Sequence, residues 1–157
     1  MGLAEIRQMK EAAKLPKLKK NYIIPKKSAK KIAQEMEADS DELLQWFKER
    51  RKEMKGVCDH CGYESMKDND IKYHYSIAHI LPKEHFPSVK THPLNWVELC
   101  FYGNSCHTNM DNLVLDIMDM NCFDLIIERF IAIYPSIDNQ EKKRIPAVLL
   151  NYVNDNR

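Results

Sequence analysis

At 157 residues, with 44% hydrophobic and 30% charged side chains, the chain has the length and apolar content of one domain with an extension and a well-solvated surface. No apolar run approaches the ~18 residues that cross a membrane, and Met1–Lys10 lacks the apolar stretch of a secretory signal, so the cytoplasm is the expected compartment. The formal net charge of +1 conceals an asymmetry: residues 1–56 carry 15 Lys/Arg against 9 Asp/Glu, and residues 57–157 carry 9 against 14.

Residues 1–14 have the spacing of a short helix, with Leu3, Ile6 and Met9 three positions apart. Gly2 invites an acylation reading, but position 6 is Ile rather than Ser or Thr, which discards it. Residues 15–25 carry two prolines and are expected to be extended. Ten basic residues fall within 7–31 against the single Glu11, the pattern of an arm that meets polyanions. We therefore assign residues 1–27 to a basic arm, with Lys17, Lys19, Lys20, Lys26, Lys27, Lys30, Lys31 and, further on, Lys83 as candidate phosphate contacts.

Residues 28–56 form a helical segment. Ser28 is a candidate N-cap for a helix over 29–38, and Asp39-Ser40-Asp41 is a second start signal. Leu43, Leu44, Phe47 and Met54 then make an apolar stripe with Trp46 beside it, and Gly56 ends the segment. Lys48, Arg50, Arg51, Lys52 and Lys55 crowd the remaining face, where they would be solvated or touch phosphate.

Val57–Gly62 holds a C-x2-C pair on a knuckle-type turn. Ile71–Ile80 has the β-rich composition of a strand, with Tyr73, Tyr75, Ile77 and His79 on one face and His74, Ser76 and Ala78 on the other. Residues 83–94 read as a loop that buries little, Trp96–Cys100 as a second short strand, and Cys106 to about Met120 as a helix. Cys122–Tyr134 is nearly continuous apolar helix, stopped by Pro135, and Glu141–Val153 is a final helix with Pro146 near its start or at a kink. Residues 121–157 would pack on a core spanning 57–120.

Cys58, Cys61, Cys100 and Cys106 suit a tetrahedral zinc site, because short-spaced cysteine pairs in a reducing compartment more often bind metal than form disulfides. The alternatives are a histidine, His60 or His107, replacing one cysteine, or no metal. The 38 residues between the pairs leave room for a strand and a loop. Cys122, inside an apolar pattern, reads as core. His60, His85 and His92 read as surface, and Tyr63, Tyr73 and Tyr75 as packing rather than base-stacking residues.

The order C-x2-C, then A-H-I-L-P-K, then Asn95, then Cys100 and Cys106-His107, with H-x15-N-x11-H spacing, resembles the HNH endonucleases. These are the ββα-metal nucleases, and the likeness is to their zinc-bearing, phage-like variety over Val57–Asp111. The resemblance implies an α+β fold: a small ββα-metal core with a four-cysteine zinc site, flanked by N-terminal and C-terminal helices. It implies a metal-dependent endonuclease that hydrolyses DNA phosphodiester bonds in a bacterial or phage-infected cell. His79 would be the general base, Asn95 would pin the loop and orient His79, and His107 would hold a catalytic divalent cation (Mg²⁺, Mn²⁺, Ni²⁺ or Zn²⁺).

Many members of the family carry a metal-binding side chain directly before the general base; here that residue is Ala78. Asp111, four residues after His107 on the same helical face, is the candidate second ligand. His74 would lie ~13 Å along the strand from Ala78 and could not substitute. The alternative readings are a catalytically inactive zinc-stapled module that binds nucleic acid, and an adaptor whose C-terminal helices dock a protein partner such as a phage packaging or recombination machine. No membrane association is expected.

Overall fold

The computed structural model describes residues 29–155, with side chains from residue 41 onward. The predicted arm and Lys17, Lys19, Lys20, Lys26 and Lys27 lie outside the described residues. Lys30 and Lys31 fall on helical backbone whose side chains do so too. Residues 34–157 form one compact unit; of the other, Met1–Ala33, the described part is the start of the first helix.

The fold is α+β. Helix α1 (Ala29–Glu53) runs straight through Asp39-Ser40-Asp41, so the predicted break is absent. A cap side chain stops a helix only where the chain already turns; within a run, propagation adds a hydrogen bond per residue and prevails. The buried stripe also differs from the predicted one. It is centred on Trp46 and Met54, with Leu43 and Phe47 partly buried, while Leu44 faces solvent.

Strands β1 (Ile77–Ala78) and β2 (Val97–Glu98) pair antiparallel, Ile77 opposite Glu98 and Ala78 opposite Val97. The predicted strand over 71–80 is thus much shorter. Asn69 is the cause: its side-chain oxygen accepts from the N–H groups of Ile71 and Lys72, and its carbonyl from Tyr73. That Asx turn feeds a 3₁₀ turn over Tyr73–Ser76 before the chain extends. The alternating faces expected for Tyr73–His79 hold only from Ile77 onward.

Helix α2 (Cys106–Asp111) is also shorter than predicted. Leu113 adopts φ +57°, which ends the helix, and the Asn109 carbonyl accepts from both Val114 and Leu115. A 3₁₀ turn over Ile117–Asp119 follows, capped by the Asp116 side chain. Helix α3 (Phe123–Ile133) carries the predicted apolar run. The predicted last helix is two: α4 (Asn139–Lys142) and α5 (Ala147–Asp155), parted at Pro146.

The core of the described residues has three parts. Trp46, Met54, Tyr73, Ile77 and Trp96 fill the space under α1. Ala78, Val97, Leu99 and Ile126 pack around the buried cysteines. Leu81, Phe86 and Val89 pack with Phe130, Ile133 and Leu149. The loop over 83–94, expected to bury little, therefore anchors the C-terminal helices: Phe86 and Val89 enter the core, and Glu141 accepts hydrogen bonds from the Ser88 N–H (3.2 Å) and hydroxyl.

Glu98 ties the first cysteine turn to the sheet. It is 1% exposed, and its carboxylate accepts from the Lys55 N–H (2.7 Å), the Gly56 N–H (2.9 Å) and the Ser65 hydroxyl (2.5 Å). Asp59 answers from the other side, accepting from the Glu98 N–H at 2.9 Å. Glu98→Ala strands these donors and is expected to cost about 3 kcal/mol in urea unfolding, whereas Glu98→Gln, which keeps one acceptor oxygen, loses less. Equal stability of the alanine variant and the parent would contradict this role.

Candidate metal and catalytic centre

The sulfurs of Cys58, Cys61, Cys100 and Cys106 all lie within 4.8 Å of one another, a group that can hold a metal ion such as zinc. Cys61 and Cys100 sulfurs are 3.7 Å apart, close to the ~3.8 Å edge of a tetrahedron with Zn–S near 2.3 Å. The first pair sits on a knuckle: Gly62, at φ +73°, donates to the Cys58 carbonyl, and the Cys61 N–H points at the Cys58 sulfur at 3.5 Å. The second pair brackets a turn in which Gly103 has φ +72° and a Cβ there would meet the Tyr63 ring at 2.5 Å. Both the dihedral and the close approach require glycine.

The thiol chemistry fits a cation. Burial raises the Cys61 thiol, but hydrogen bonds from the Asn104 side chain and the Tyr63 backbone outweigh it and bring it down to about 6. Burial pushes Cys106 up, reinforced by the Cys100 and Cys61 sulfurs, and burial pushes Cys100 up as well. A cation among the four sulfurs would offset the burial that opposes ionisation of Cys100 and Cys106. Cys122 stands apart, buried in the core with its thiol pushed by burial to about 11.

His79 follows β1, and its ring lines a cleft of about 630 Å³. Its Nε2 lies 2.9 Å from the Lys90 carbonyl, so Nε2 carries the hydrogen and the neutral ring has its lone pair on Nδ1. Burial is the main cause that lowers its pKa below the ordinary 6.5, offset by the Lys90 carbonyl and aided by Lys83. Trp46 stacks on the ring at 4.6 Å and 19°, and Phe47 meets it edge-on at 6.0 Å. Trp46 in turn donates to the His92 carbonyl, so α1 grips both the base candidate and the loop that fixes it.

Asn95 is fully buried. Its Oδ1 accepts from the Leu81 N–H at 2.8 Å, and its Nδ2 donates to the carbonyls of Leu81 (3.1 Å) and Val89 (3.0 Å). It thereby ties both ends of the loop together. Val89 precedes Lys90, whose carbonyl holds His79, so Asn95 reaches His79 through the loop backbone rather than by contact.

His107 opens α2 directly after Cys106, behind Ser105 at φ +52°. Its Nδ1 donates to the Tyr75 carbonyl, which leaves Nε2 as the lone-pair nitrogen. That Nε2 stands 3.3 Å from the Asp111 carboxylate. Two donors that each sit ~2.1 Å from one ion are roughly 3.0–3.4 Å apart, so the pair fits a shared cation as well as it fits an ion pair.

His79, His107 and Asp111 all line the one cleft, together with Lys83, Glu84, His85 and Arg144. Of the eight lysines named as candidate phosphate contacts, Lys83 is the one whose side chain is described; on α1, Arg50 is buried and donates to the Pro93 carbonyl at 2.7 Å, and Arg51 donates to the Lys67 carbonyl at 2.8 Å, so these two are engaged within the fold. Ala78 is 0% exposed and packs in the core with Val97 and the cysteines, so a larger side chain there would overpack that layer. His74, set aside as too distant on an extended strand, lines the cleft because the 3₁₀ turn folds it back. Trp46 and Arg144 were not foreseen either: no motif marks them, and only the packing of α1 and α4–α5 brings them near. The Arg144 guanidinium is held by the His85 carbonyl at 3.2 Å.

Comparison with family models, curated proteins and solved structures finds no match to this chain. No helix among the described residues is long and apolar enough to cross a membrane.

Cys100→Ser and Cys106→Ser are each expected to abolish stoichiometric metal in the purified protein by elemental analysis. Each should also lower Tm by roughly 10 °C, the size that follows from losing about 3–5 kcal/mol in a chain of this length. Cys122→Ser should leave the metal content unchanged. Full metal content in the cluster variants would exclude the four-sulfur site.

Proposed function

We propose that this chain is a metal-dependent endonuclease of HNH type that hydrolyses DNA phosphodiester bonds. The observation that carries the reading is the opposed anchoring of two imidazoles on one cleft. A backbone carbonyl takes the Nε2 hydrogen of His79, and another takes the Nδ1 hydrogen of His107, so a lone pair is assigned to a chosen nitrogen in each ring.

In this reading the cysteine cluster holds zinc and is structural. Nδ1 of His79 takes a proton from water as the water oxygen bonds to phosphorus, and the bond from phosphorus to the leaving oxygen breaks. Burial favours the neutral ring that can accept that proton. Trp46 and the Lys90 carbonyl hold the ring plane, so the proton acceptor does not rotate away. His107 Nε2 and the Asp111 carboxylate hold a divalent cation, Mg²⁺, Mn²⁺, Ni²⁺ or Zn²⁺, which supplies Lewis-acid stabilisation of the charge on the phosphate and leaving oxygens. Lys83 and Arg144 meet non-bridging phosphate oxygens or the flanking backbone. The basic arm at 7–31 adds sequence-independent affinity that falls steeply with salt.

Incubation of supercoiled plasmid with Mg²⁺, Mn²⁺ or Ni²⁺ should yield nicked or linear product. His79→Ala should slow the reaction about 10²–10⁴-fold, and His107→Ala should raise the metal concentration needed for half-maximal rate. No product under any metal, or equal rates for His79→Ala and the parent, would sink the enzyme reading; a salt-sensitive gel shift without cleavage would then favour the binding module.

The pH profile follows from the buried imidazole. Because burial lowers the His79 pKa from 6.5, the proton-accepting form persists to lower pH, and the acid limb of the cleavage rate should have its midpoint below 6.5. A midpoint above that value would mean that another group limits the reaction.

A further inference from the structure

A continuous line of rings leads out of the cleft. Phe47, edge-on to His79, also meets His74 at 5.8 Å between ring centroids, and His74 meets Tyr75 at 4.3 Å. Tyr75 stacks on Phe101 at 4.7 Å and 22°, and Phe101 meets Tyr102 at 5.3 Å. The line does not sink into the core: Tyr75 is 39% and Tyr102 48% exposed. At its outer end Lys72 lies over the Tyr102 ring, 5.7 Å from the centroid. At its inner end Phe47, His74 and Tyr75 share the cleft with Lys83 and Arg144.

A single exposed tyrosine is ordinary, but here two stand in one contiguous ring series, whereas Tyr73, two residues before Tyr75, is buried beneath Arg51. We infer that the line from His74 to Tyr102 is a stacking platform for unpaired bases, so that the preferred substrate is single-stranded nucleic acid or a junction with a single-stranded stretch beside the scissile phosphate. The inference rests on the nuclease reading for its orientation toward the cleft. An aromatic face offers a base a stacking surface, and a base in a duplex has both faces covered; flexible single strands alone can lay successive bases on such a line. Cations at both ends of the line are placed to meet the backbone phosphates that accompany those bases, as aromatic platforms flanked by positive charge do in single-strand binders. A protein partner fits less well, because a ring series flanked by cations favours a polyanion carrying flat groups.

The test uses the full chain in a His79→Ala background without added divalent cation, so that binding is read independently of cleavage. Fluorescence anisotropy would compare a labelled oligothymidylate with a blunt duplex of equal length. Tyr75→Ala and Tyr102→Ala should each weaken oligothymidylate binding about tenfold and change duplex binding less than twofold, while Tyr75→Trp restores single-strand affinity. Unchanged oligothymidylate binding in both alanine variants, equal losses on duplex and single strand, or no oligothymidylate binding by the parent background would each overturn the platform. If Tyr75→Ala does not fold, Tyr102→Ala and Tyr75→Trp still decide the matter, since one exposed ring is removed and the other exchanged. Failure of plasmid nicking would remove the catalytic reading and leave these binding outcomes intact.

Discussion

The four-sulfur cluster is the constraint on which the rest of the site depends. It joins a knuckle before the sheet to the end of β2 and to the first residue of α2, three places that two-residue strands and a six-residue helix could not hold together alone. Cys106 is followed at once by His107, and the His107 N–H donates to the Cys100 carbonyl, so closing the cluster fixes the start of the helix that bears the cation candidates. Glu98 from the sheet and Asp59 from the knuckle brace this junction by accepting hydrogen bonds from backbone N–H groups. Without a bound ion, burial opposes ionisation of Cys100 and Cys106; with one, the thiolates gain what the small core cannot supply.

His79 is positioned by a different route. The loop over 83–94 leaves the sheet and returns to it, with Phe86 and Val89 in the core and Asn95 clamping its two ends. The Lys90 carbonyl then stands where it takes the Nε2 hydrogen, and Trp46 of α1 covers the ring. Two independent frames, a sulfur cluster and a polar clamp, thus deliver two imidazoles to one cleft. Each frame uses a backbone carbonyl to choose which nitrogen of the neutral ring keeps its hydrogen.

The parts of the site that were legible in the sequence are those whose chemistry is local. The cysteine pairs and the i, i+4 relation of His107 and Asp111 follow from spacing, and the order His79, Asn95, His107 from the resemblance; the four sulfurs cluster, His79, His107 and Asp111 line one cleft, and Asn95 is buried away from it in the loop clamp. What was not legible depends on turns and long-range packing. Ile71–Ser76 has strand-forming side chains, but Asn69 offers its backbone a turn instead. The apolar residues after Asp111 look like continued helix until Leu113 takes a positive φ. Ala78, which suggested a missing ligand, is a packing position between Val97 and the cysteines. Trp46, 33 residues before His79, carries no signal of its stacking role until α1 is docked. The aromatic line toward Tyr102 was hidden for the same reason: its rings come from three segments.

The proposed chemistry requires that His79 and His107 present opposite lone-pair nitrogens, Nδ1 and Nε2, to the one cleft they line, and that His107 takes up the cation. Long-range ¹H–¹⁵N spectra of the histidine rings, recorded during titration with Mn²⁺, test it most directly. The Nε2–H tautomer is expected for His79 and the Nδ1–H tautomer for His107, with paramagnetic broadening that begins at His107 and is lost in His107→Ala. Matching tautomers in the two rings, or Mn²⁺ leaving the His107 signals unchanged while it broadens others, would contradict it.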